Sequence, residues 1–308
     1  MPVGYPGHML PPSELFELQL ALPDAGIAAR ASRLIGFAER RMRLEGSLRL
    51  MIDPDGVRRW SERFHGLSLP LLKVLPDRYP LVLFHGDVGT GKTETAEAMA
   101  NSLAVASGRP GSLLKLSTRV RGEGFVGQMT ALLSQAFTTV AKEAGKSRTV
   151  YLIIDEGDSL TSSRATREIH HEDKVAVNTL IQKLDSFRRF DGRVLVFLCT
   201  NRYDALDPAI LRRCLADEQF DRPDAEERRA LLKMDLEGID LPADVIDEIV
   251  ELTGRQDGPG FTFSDIRTRL LPTAIAAAFP DRAVGAEDFL SAARRIAPTP
   301  SFDDQARP

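Results

Sequence analysis

The 308-residue sequence is poor in the features that mark secreted and membrane-spanning proteins. It has two cysteines, Cys199 and Cys214, too few for a disulfide framework and typical of a protein kept in a reducing compartment. No apolar run approaches the roughly 18 residues that a membrane span needs. The segment Met1–Met9 has neither the cationic start nor the apolar core of a secretory signal. We therefore expect a cytoplasmic protein with no membrane partner.

An excess of positive charge is also missing. Lys and Arg together number 40 against 44 Asp and Glu, which leaves a formal net charge of −4. Proteins that bind nucleic acid mainly through its phosphates carry the opposite balance, so the charge argues against a nucleic-acid partner. Internal repeats and low-complexity tracts are lacking too. The length predicts about two globular domains.

A complete phosphate-binding motif follows the apolar run Leu81–Phe84. Its glycines permit positive φ and let consecutive backbone N–H groups close around an anion. Lys92 supplies a charge for the β- and γ-phosphates, and the Thr93 hydroxyl is a ligand for Mg²⁺. A glycine-rich surface turn is the alternative, but this motif lies between a strand and a helix. The predicted cofactor-binding residues of the loop are Gly86, Asp87, Val88, Gly89, Thr90, Gly91, Lys92 and Thr93.

Strands and helices alternate through the middle of the chain. Continuous apolar runs rich in Val, Ile and Leu are typical of strands buried on both faces. We expect an α/β fold, a doubly wound parallel sheet followed by a small all-helical lid domain. The predicted strands are Leu81–Phe84, Leu113–Leu116, Val150–Ile154, Val194–Cys199 and a weaker one at Gln219–Phe220.

The domain boundaries follow from changes in composition. Residues 1–29 are predicted to be a short N-terminal arm or adaptor segment, in which Glu14–Leu22 is a candidate for ordered structure. Residues 30–222 form the large α/β domain, and the small helical lid covers residues 223–297, beginning at Pro223. The Pro- and Asp-rich residues 298–308 are predicted to be a flexible tail.

Two acids end the buried strand Val150–Ile154. Asp155 would hold Mg²⁺ across from Thr93, and Glu156 stands where a base polarises the water that attacks the γ-phosphate. Ordinary charges at the end of a strand are the alternative, which the upstream loop makes weaker. The residues that follow lack the D-x-x-G of GTPases, which favours ATP as the ligand.

Three further residues are candidates for catalysis. Asn201 follows the strand Val194–Cys199 and could orient the attacking water, although Asn is also a common turn residue. Arg212 and Arg213 precede the lid, and in a ring one of them could reach a neighbour's nucleotide and stabilise charge in the transition state. A solvated helix end is the alternative for this pair, and the sequence leaves open which arginine acts.

A glycine-flanked apolar pair follows the second predicted strand. Phe125, Val126 and Gly127 suit an exposed loop that grips a polypeptide. Packing of Phe125 into the core is the alternative that the sequence leaves open.

The order of these motifs resembles that of AAA+ ATPases from about Arg30 to Ile296. Within that superfamily, three local segments are similar to the pachytene checkpoint ATPases, which remodel HORMA-domain proteins. The segments are Asp155–Arg164, Val177–Asp185 and Arg269–Pro272. The short N-terminal arm resembles the bacterial members associated with CBASS anti-phage operons.

The resemblance implies a homohexamer that uses ATP and Mg²⁺ to pull a HORMA-domain protein through its central pore. It implies that this partner is bound to a CD-NTase, and that disassembly switches off anti-phage signalling. Phe125 and Val126 fall at the family's first pore loop. Alternatives are an unfoldase that serves a separate protease, a nucleic-acid-associated AAA+ machine, and a scaffold that does not hydrolyse ATP.

The chain departs from the family pattern in three places. Asp87-Val88 replaces the usual Pro-Pro, a change we expect to be tolerated because the backbone binds the phosphates. Eukaryotic members carry an N-terminal adaptor-binding domain, for which residues 1–29 are expected to be too short. No arginine stands at the expected sensor position of the lid, and Arg267 is only a neighbour of it.

Overall fold

A computed structural model describes residues 10–121, 128–145, 147–157, 170–254 and 258–301. Its centre is a six-stranded sheet with the strand order β1-β3-β4-β5-β2-β6. The strands are β1 (Phe16–Leu22), β2 (Leu81–Gly86), β3 (Gly111–Leu116), β4 (Thr149–Ile154), β5 (Val194–Thr200) and β6 (Cys214–Phe220). The pairs β3–β4, β4–β5 and β2–β5 are parallel. The predicted doubly wound α/β fold with a helical lid is therefore confirmed.

One edge of the sheet is antiparallel, which the sequence does not predict. The strand β1 pairs with β3 in the antiparallel sense. Buried or half-buried apolar residues alternate along Phe16–Leu22 with the exposed Glu17, Gln19 and Ala21, the pattern of a strand that packs on one face only. The first part of the chain is thus a structural member of the sheet.

Helices cover the sheet and build the lid. In the described ranges they are α1 (Pro12–Leu15), α2 (Ala25–Ala31), α3 (Phe37–Ile52), α4 (Pro54–His65), α5 (Lys92–Ser107), α6 (Gln128–Ala144), α7 (His170–Phe187), α8 (Pro208–Leu211), α9 (Ala225–Asp235), α10 (Ala243–Leu252), α11 (Leu271–Ala278) and α12 (Ala286–Arg295). A π-helix, Asp265–Leu270, precedes α11 directly. Short 3₁₀ segments lie at Pro70–Asp77, Thr118–Arg121, Arg188–Phe190 and Tyr203–Ala205.

Both faces of the central strands are buried. All residues of β4 and β5 are inaccessible to solvent. Alternate side chains such as Leu152 and Val196 pack into one core with Phe137 of α6 and Leu180 of α7. A charged side chain along such strands would be buried away from water, so charged residues are confined to positions beyond the strand ends.

The lid has a core of its own. The side chains of Leu232, Ile249, Phe261 and Phe289 pack together in it. The helix α9 begins with a capping box, in which Asp224 accepts a hydrogen bond from the backbone N–H of Glu227 and the Glu227 carboxylate accepts one in return.

The chain divides into two compact units. The first takes its described residues from Met1–Ser32, Glu39–His85 and Thr93–Glu218. The second takes them from Arg33–Ala38, Gly86–Lys92 and Gln219–Pro308, so the phosphate loop is grouped with the lid. The domain boundaries at 29, 222 and 297 stay a prediction. No described helix is both long and apolar enough to cross a membrane.

Gly192 offers a test of packing in the first unit. Its φ is +75°, and a Cβ added there would lie 1.8 Å from the carbonyl oxygen of Met51. We expect Gly192→Ala to lower the free energy of unfolding by about 2–4 kcal/mol, because the backbone of α3 must move or the turn must break. Urea unfolding followed by circular dichroism measures this loss.

Gly46 provides the matched control, because it lies in α3 and a Cβ there would meet nothing within 4 Å. Gly46→Ala should raise stability by roughly 0.5–1 kcal/mol through helix propensity. Equal stabilities for the two variants would contradict the close approach of Gly192 to Met51.

Candidate functional site

The phosphate loop adopts the backbone that its glycines predict. The φ angles of Gly86, Gly89 and Gly91 are +133°, +72° and +90°. The Lys92 side chain is 7% exposed, and its ammonium donates hydrogen bonds to the carbonyl oxygens of Gly86 at 3.1 Å and Asp87 at 2.6 Å. The loop is therefore folded around its own lysine, with the charge held at the centre of the turn.

Side-chain and backbone contacts tie the loop to the base of the lid within the second unit. The Asp87 carboxylate accepts a hydrogen bond from Nε of Arg222 at 2.6 Å. Nη1 of the same arginine donates to the carbonyl oxygen of Gly260 at 2.5 Å. The backbone N–H of Ser264 donates to the carbonyl of Gly89 at 3.1 Å. Asp87 thus has a side-chain role, whereas the sequence suggests only a backbone one.

Close packing explains why glycine is needed twice in this loop. A Cβ on Gly86 would lie 2.1 Å from the carbonyl oxygen of Phe220, and a Cβ on Gly89 would lie 2.8 Å from Oγ1 of Thr262. The positive φ values therefore coincide with contacts that exclude any side chain.

In the first unit, Thr93 and Asp155 form a short polar pair. The Thr93 hydroxyl donates to Oδ2 of Asp155 at 2.8 Å, although 61 residues separate them in the chain. A hydroxyl and a carboxylate are hard oxygen ligands of the kind that Mg²⁺ prefers, so these two residues fit that ion. No group of three or more His, Cys, Asp or Glu side chains suited to a metal exists among the described residues. Mg²⁺ uses few protein ligands where phosphates and water supply the rest.

Glu156 has a strained backbone. Its φ is +50°, one of two positive values outside glycine in the described chain, and its N–H donates to Oδ1 of Asp155 at 2.9 Å. The next N–H, that of Gly157, donates to the carbonyl of Cys199 on β5 at 2.7 Å. A Cβ on Gly157 would lie 2.3 Å from a methyl group of Leu198, so a larger residue there would have to displace that side chain. The turn places the exposed carboxylate of Glu156 just beyond the sheet. Backbone strain of this kind clusters at active sites.

Asn201 follows β5, the strand that lies between β4 and β2 in the sheet. The strands β4 and β5 are parallel, so their carboxyl ends lie on the same side of the sheet. Asn201 and Asp155 both follow these carboxyl ends and therefore leave the sheet together. The neighbouring Thr200 hydroxyl accepts a hydrogen bond from the N–H of Arg202 at 3.1 Å, which shapes the turn.

Lys115, which no motif in the sequence singles out, also lies near the carboxyl ends of these strands. Nζ of Lys115, on β3, is 2.8 Å from Oε1 of Glu17 and 3.4 Å from Oδ2 of Asp155. Burial lowers the pKa of Lys115, but Glu17 and Asp155 together outweigh burial and raise the pKa above its ordinary value. The signal in the sequence was a single charge within the apolar strand Gly111–Leu116.

The structure distinguishes the two arginines that precede the lid. Arg213 is held within the first unit by two hydrogen bonds to Asp185, at 2.7 and 3.0 Å, and lies 5.0 Å from the ring centroid of Tyr79. Its hydrogen bonds to Asp185 raise the pKa of Arg213. The Arg212 side chain is exposed and forms no ion pair with another described residue. Arg212 is therefore the one with a side chain available to a neighbour.

Two other sequence predictions have different outcomes. Arg267 donates to both oxygens of Asp235, at 2.6 and 3.0 Å, so it is engaged within the second unit. The pore-loop candidates Phe125, Val126 and Gly127 lie outside the described residues.

Comparison with known proteins gives consistent matches. The model of the ATPase family associated with various cellular activities (AAA) matches residues 82–222. CD-NTase-associated protein 6 of Escherichia coli strain KTE188 is 46% identical over 294 residues, which cover 95% of this chain and 99% of that protein. A chain in the E. coli MS115-1 HORMA:CdnC:Trip13 complex superposes with a TM-score of 0.87 at 38% identity, covering 95% of this chain and 99% of that chain. Rhizobiales Trip13 has a TM-score of 0.69 at 33% identity, covering 92% of this chain and 99% of its own.

The contact between Asp87 and Arg222 can be tested by stability. Both side chains are largely buried, at 17% and 12% exposed, so Arg222→Ala leaves a carboxylate without its partner. We expect the free energy of unfolding to fall by about 2–3 kcal/mol. Adding Asp87→Asn should restore part of that loss, because the unpaired charge is then gone.

The control is Arg229→Ala, which breaks the exposed pair with Asp247 in the same unit. This change should cost about 0–1 kcal/mol. Chemical denaturation of five proteins measures these differences: the wild type, Arg222→Ala, Asp87→Asn, the double variant and Arg229→Ala. Strictly additive losses for Arg222→Ala and Asp87→Asn would show that the two side chains do not interact.

Proposed function

Since this chain belongs to the AAA family of ATPases, in the group of CD-NTase-associated protein 6, we propose that it is an ATP-driven protein remodeller. Its substrate is a HORMA-domain protein bound to a CD-NTase. It works as a homohexameric ring that pulls this substrate through the central pore, opens it and takes the complex apart. Disassembly switches off the anti-phage signal of the CD-NTase.

The arrangement of Thr93, Asp155 and Glu156 is the observation that carries the proposal of hydrolysis. Mg²⁺, when bound, neutralises phosphate charge, and Thr93 and Asp155 are the residues that would hold it. Glu156 follows Asp155 in a turn with positive φ and is exposed beside a cavity that Asp155 also lines, and we assign its carboxylate as the base for water. Asn201, at the same edge of the sheet, orients that water.

The phosphate loop supplies the binding energy for the nucleotide. Its N–H groups and the ammonium of Lys92 bind the β- and γ-phosphates of ATP. The same ammonium donates hydrogen bonds to the carbonyl oxygens of Gly86 and Asp87, so phosphate oxygens would compete with these two carbonyls as acceptors.

Exposed side chains support assembly into a ring. Arg212 projects from the first unit and would complete a neighbour's site as an arginine finger. The region of α4 and the 3₁₀ segment after it exposes Trp60, Phe64, Leu71 and Val74, of which three are at least 60% accessible. Exposed apolar patches of this kind mark protein contacts, which is what a homohexamer requires.

The nature of the substrate rests on the relatives. The solved complex that this chain resembles contains a HORMA protein and CdnC beside Trip13. Phe125 and Val126 are proposed to grip the HORMA polypeptide in the pore.

Glu156→Gln tests the proposal directly. The variant should bind ATP with unchanged affinity but lose hydrolysis by about 10²–10⁴-fold, because only the water-activating carboxylate is removed. It should also hold a purified HORMA–CD-NTase complex in ATP without separating it. Fluorescent-nucleotide titration, phosphate release and size-exclusion chromatography of the mixture measure the three properties.

Phe125→Ala is the complementary control, since it should hydrolyse ATP yet fail to separate the complex. The wild-type protein should separate it only with hydrolysable ATP. If wild-type protein turns over ATP but leaves the HORMA–CD-NTase complex intact, the substrate is a different protein.

The two arginines are compared in a second test. Arg212→Ala should lower hydrolysis roughly 10³-fold with ATP binding retained, because the neighbour's transition state loses its cation. Arg213→Ala should instead lower the melting temperature, because Asp185 and Tyr79 lose their partner. Phosphate release and thermal unfolding separate the two effects. Retained turnover in Arg212→Ala would exclude it as the finger.

A further inference from the structure

Lys115 lies between two carboxylates that come from two different strands. The sheet order β1-β3-β4 places its strand between the strand of Glu17 and the strand that leads to Asp155. Its ammonium is 2.8 Å from Glu17 and 3.4 Å from Oδ2 of Asp155. That Asp155 oxygen is also the one that accepts the hydrogen bond from Thr93. The cation therefore touches the carboxylate on the side where a metal would bind.

An irregularity in β1 accounts for the position of Glu17. Phe16 pairs with Leu116 and Leu18 pairs with Lys115, so two steps along β1 match one step along β3. Glu17 is the extra residue of this bulge. Bulges redirect a side chain and are frequent beside active sites. Here the bulge brings the Glu17 carboxylate to the ammonium of Lys115.

The two carboxylates that contact Lys115 face one cavity. It has a volume of about 190 Å³ and is lined by Glu17, Asp155, Glu156 and the chain from the end of β3, residues 116–118. The side chain of Lys115 is 18% exposed, so its charge is only partly screened by water. Charges at this depth influence a divalent cation more strongly than surface charges do.

We propose that Lys115 and Glu17 are positioning residues that set how strongly Asp155 attracts Mg²⁺. Lys115 competes with the metal for the Asp155 carboxylate, and Glu17 draws Lys115 away from it. The N-terminal strand thereby takes part in the nucleotide site. This inference rests on the proposed ATPase function, because it concerns the metal of that same site.

The proposal requires opposite effects from two substitutions. Lys115→Met removes the competing cation, so Mg²⁺ should bind more tightly in the presence of nucleotide, by about 3- to 10-fold. Glu17→Gln leaves Lys115 with Asp155 as its only partner among the groups named, so Mg²⁺ should bind about 3- to 10-fold more weakly. The double variant should behave as Lys115→Met, because Glu17 acts through Lys115.

Mg²⁺ is titrated into the full chain in the presence of a fluorescent ATP analogue, and nucleotide binding is recorded. A second titration uses Mn²⁺, whose binding is detected by electron paramagnetic resonance. Neither readout depends on turnover or on a partner protein. Glu17 is partly exposed, so Glu17→Gln keeps the test valid if Lys115→Met folds poorly.

Arg119→Met and Glu14→Gln are the matched controls. Their exposed ion pair, at 3.1 Å, lies near the same edge of the sheet, but neither residue contacts Asp155. Both should leave the metal titration unchanged. Shifts of the same sign in Lys115→Met and Glu17→Gln, or no shift with normal nucleotide binding, would overturn this inference alone. Failure of the wild-type chain to bind nucleotide at all would overturn the proposed function together with it.

Discussion

Burial of the parallel strands on both faces is the constraint on which the rest of the structure depends. A strand such as β4 or β5, inaccessible along its whole length, can place a charged side chain only where it leaves the sheet. Asp155, Glu156 and Asn201 therefore leave the sheet at one edge, and Thr93 joins Asp155 there through a 2.8 Å hydrogen bond. Burial of the strands thus restricts the candidate catalytic residues to positions beyond the strand ends.

Charge at that edge is balanced by neighbours that are distant in the chain. The Asp155 carboxylate accepts hydrogen bonds from the Thr93 hydroxyl and from the backbone N–H of Glu156, and the ammonium of Lys115 lies 3.4 Å from it. These protein contacts orient the carboxylate without the help of a ligand. Partly buried ion pairs are costly to form unless their remaining hydrogen bonds are satisfied. Glu17, supplied by the antiparallel edge strand, satisfies Lys115 on its other side.

The phosphate loop depends on a different set of contacts. Its glycines lie against Phe220 and Thr262 without room for a side chain, and Asp87 is paired with Arg222 at the base of the lid. The loop is therefore shaped by the lid as well as by its own sequence. The pair with Arg222 restrains the turn at Asp87 from outside the loop.

The sequence by itself determined the α/β fold, the four central strands β2 to β5, the positive φ of the loop glycines and the acids at the end of β4. These follow from local rules, the continuous apolar runs of buried strands and the spacing of a motif, which need no knowledge of neighbours. Only the tertiary structure decided that Phe16–Leu22 is an edge strand, that Arg213 is tied to Asp185 while Arg212 is exposed, and that Lys115 lies against Asp155. Spacing along the chain records which residues leave a strand at its end. It does not record which strands lie side by side, and the charges that meet across the sheet depend on that order.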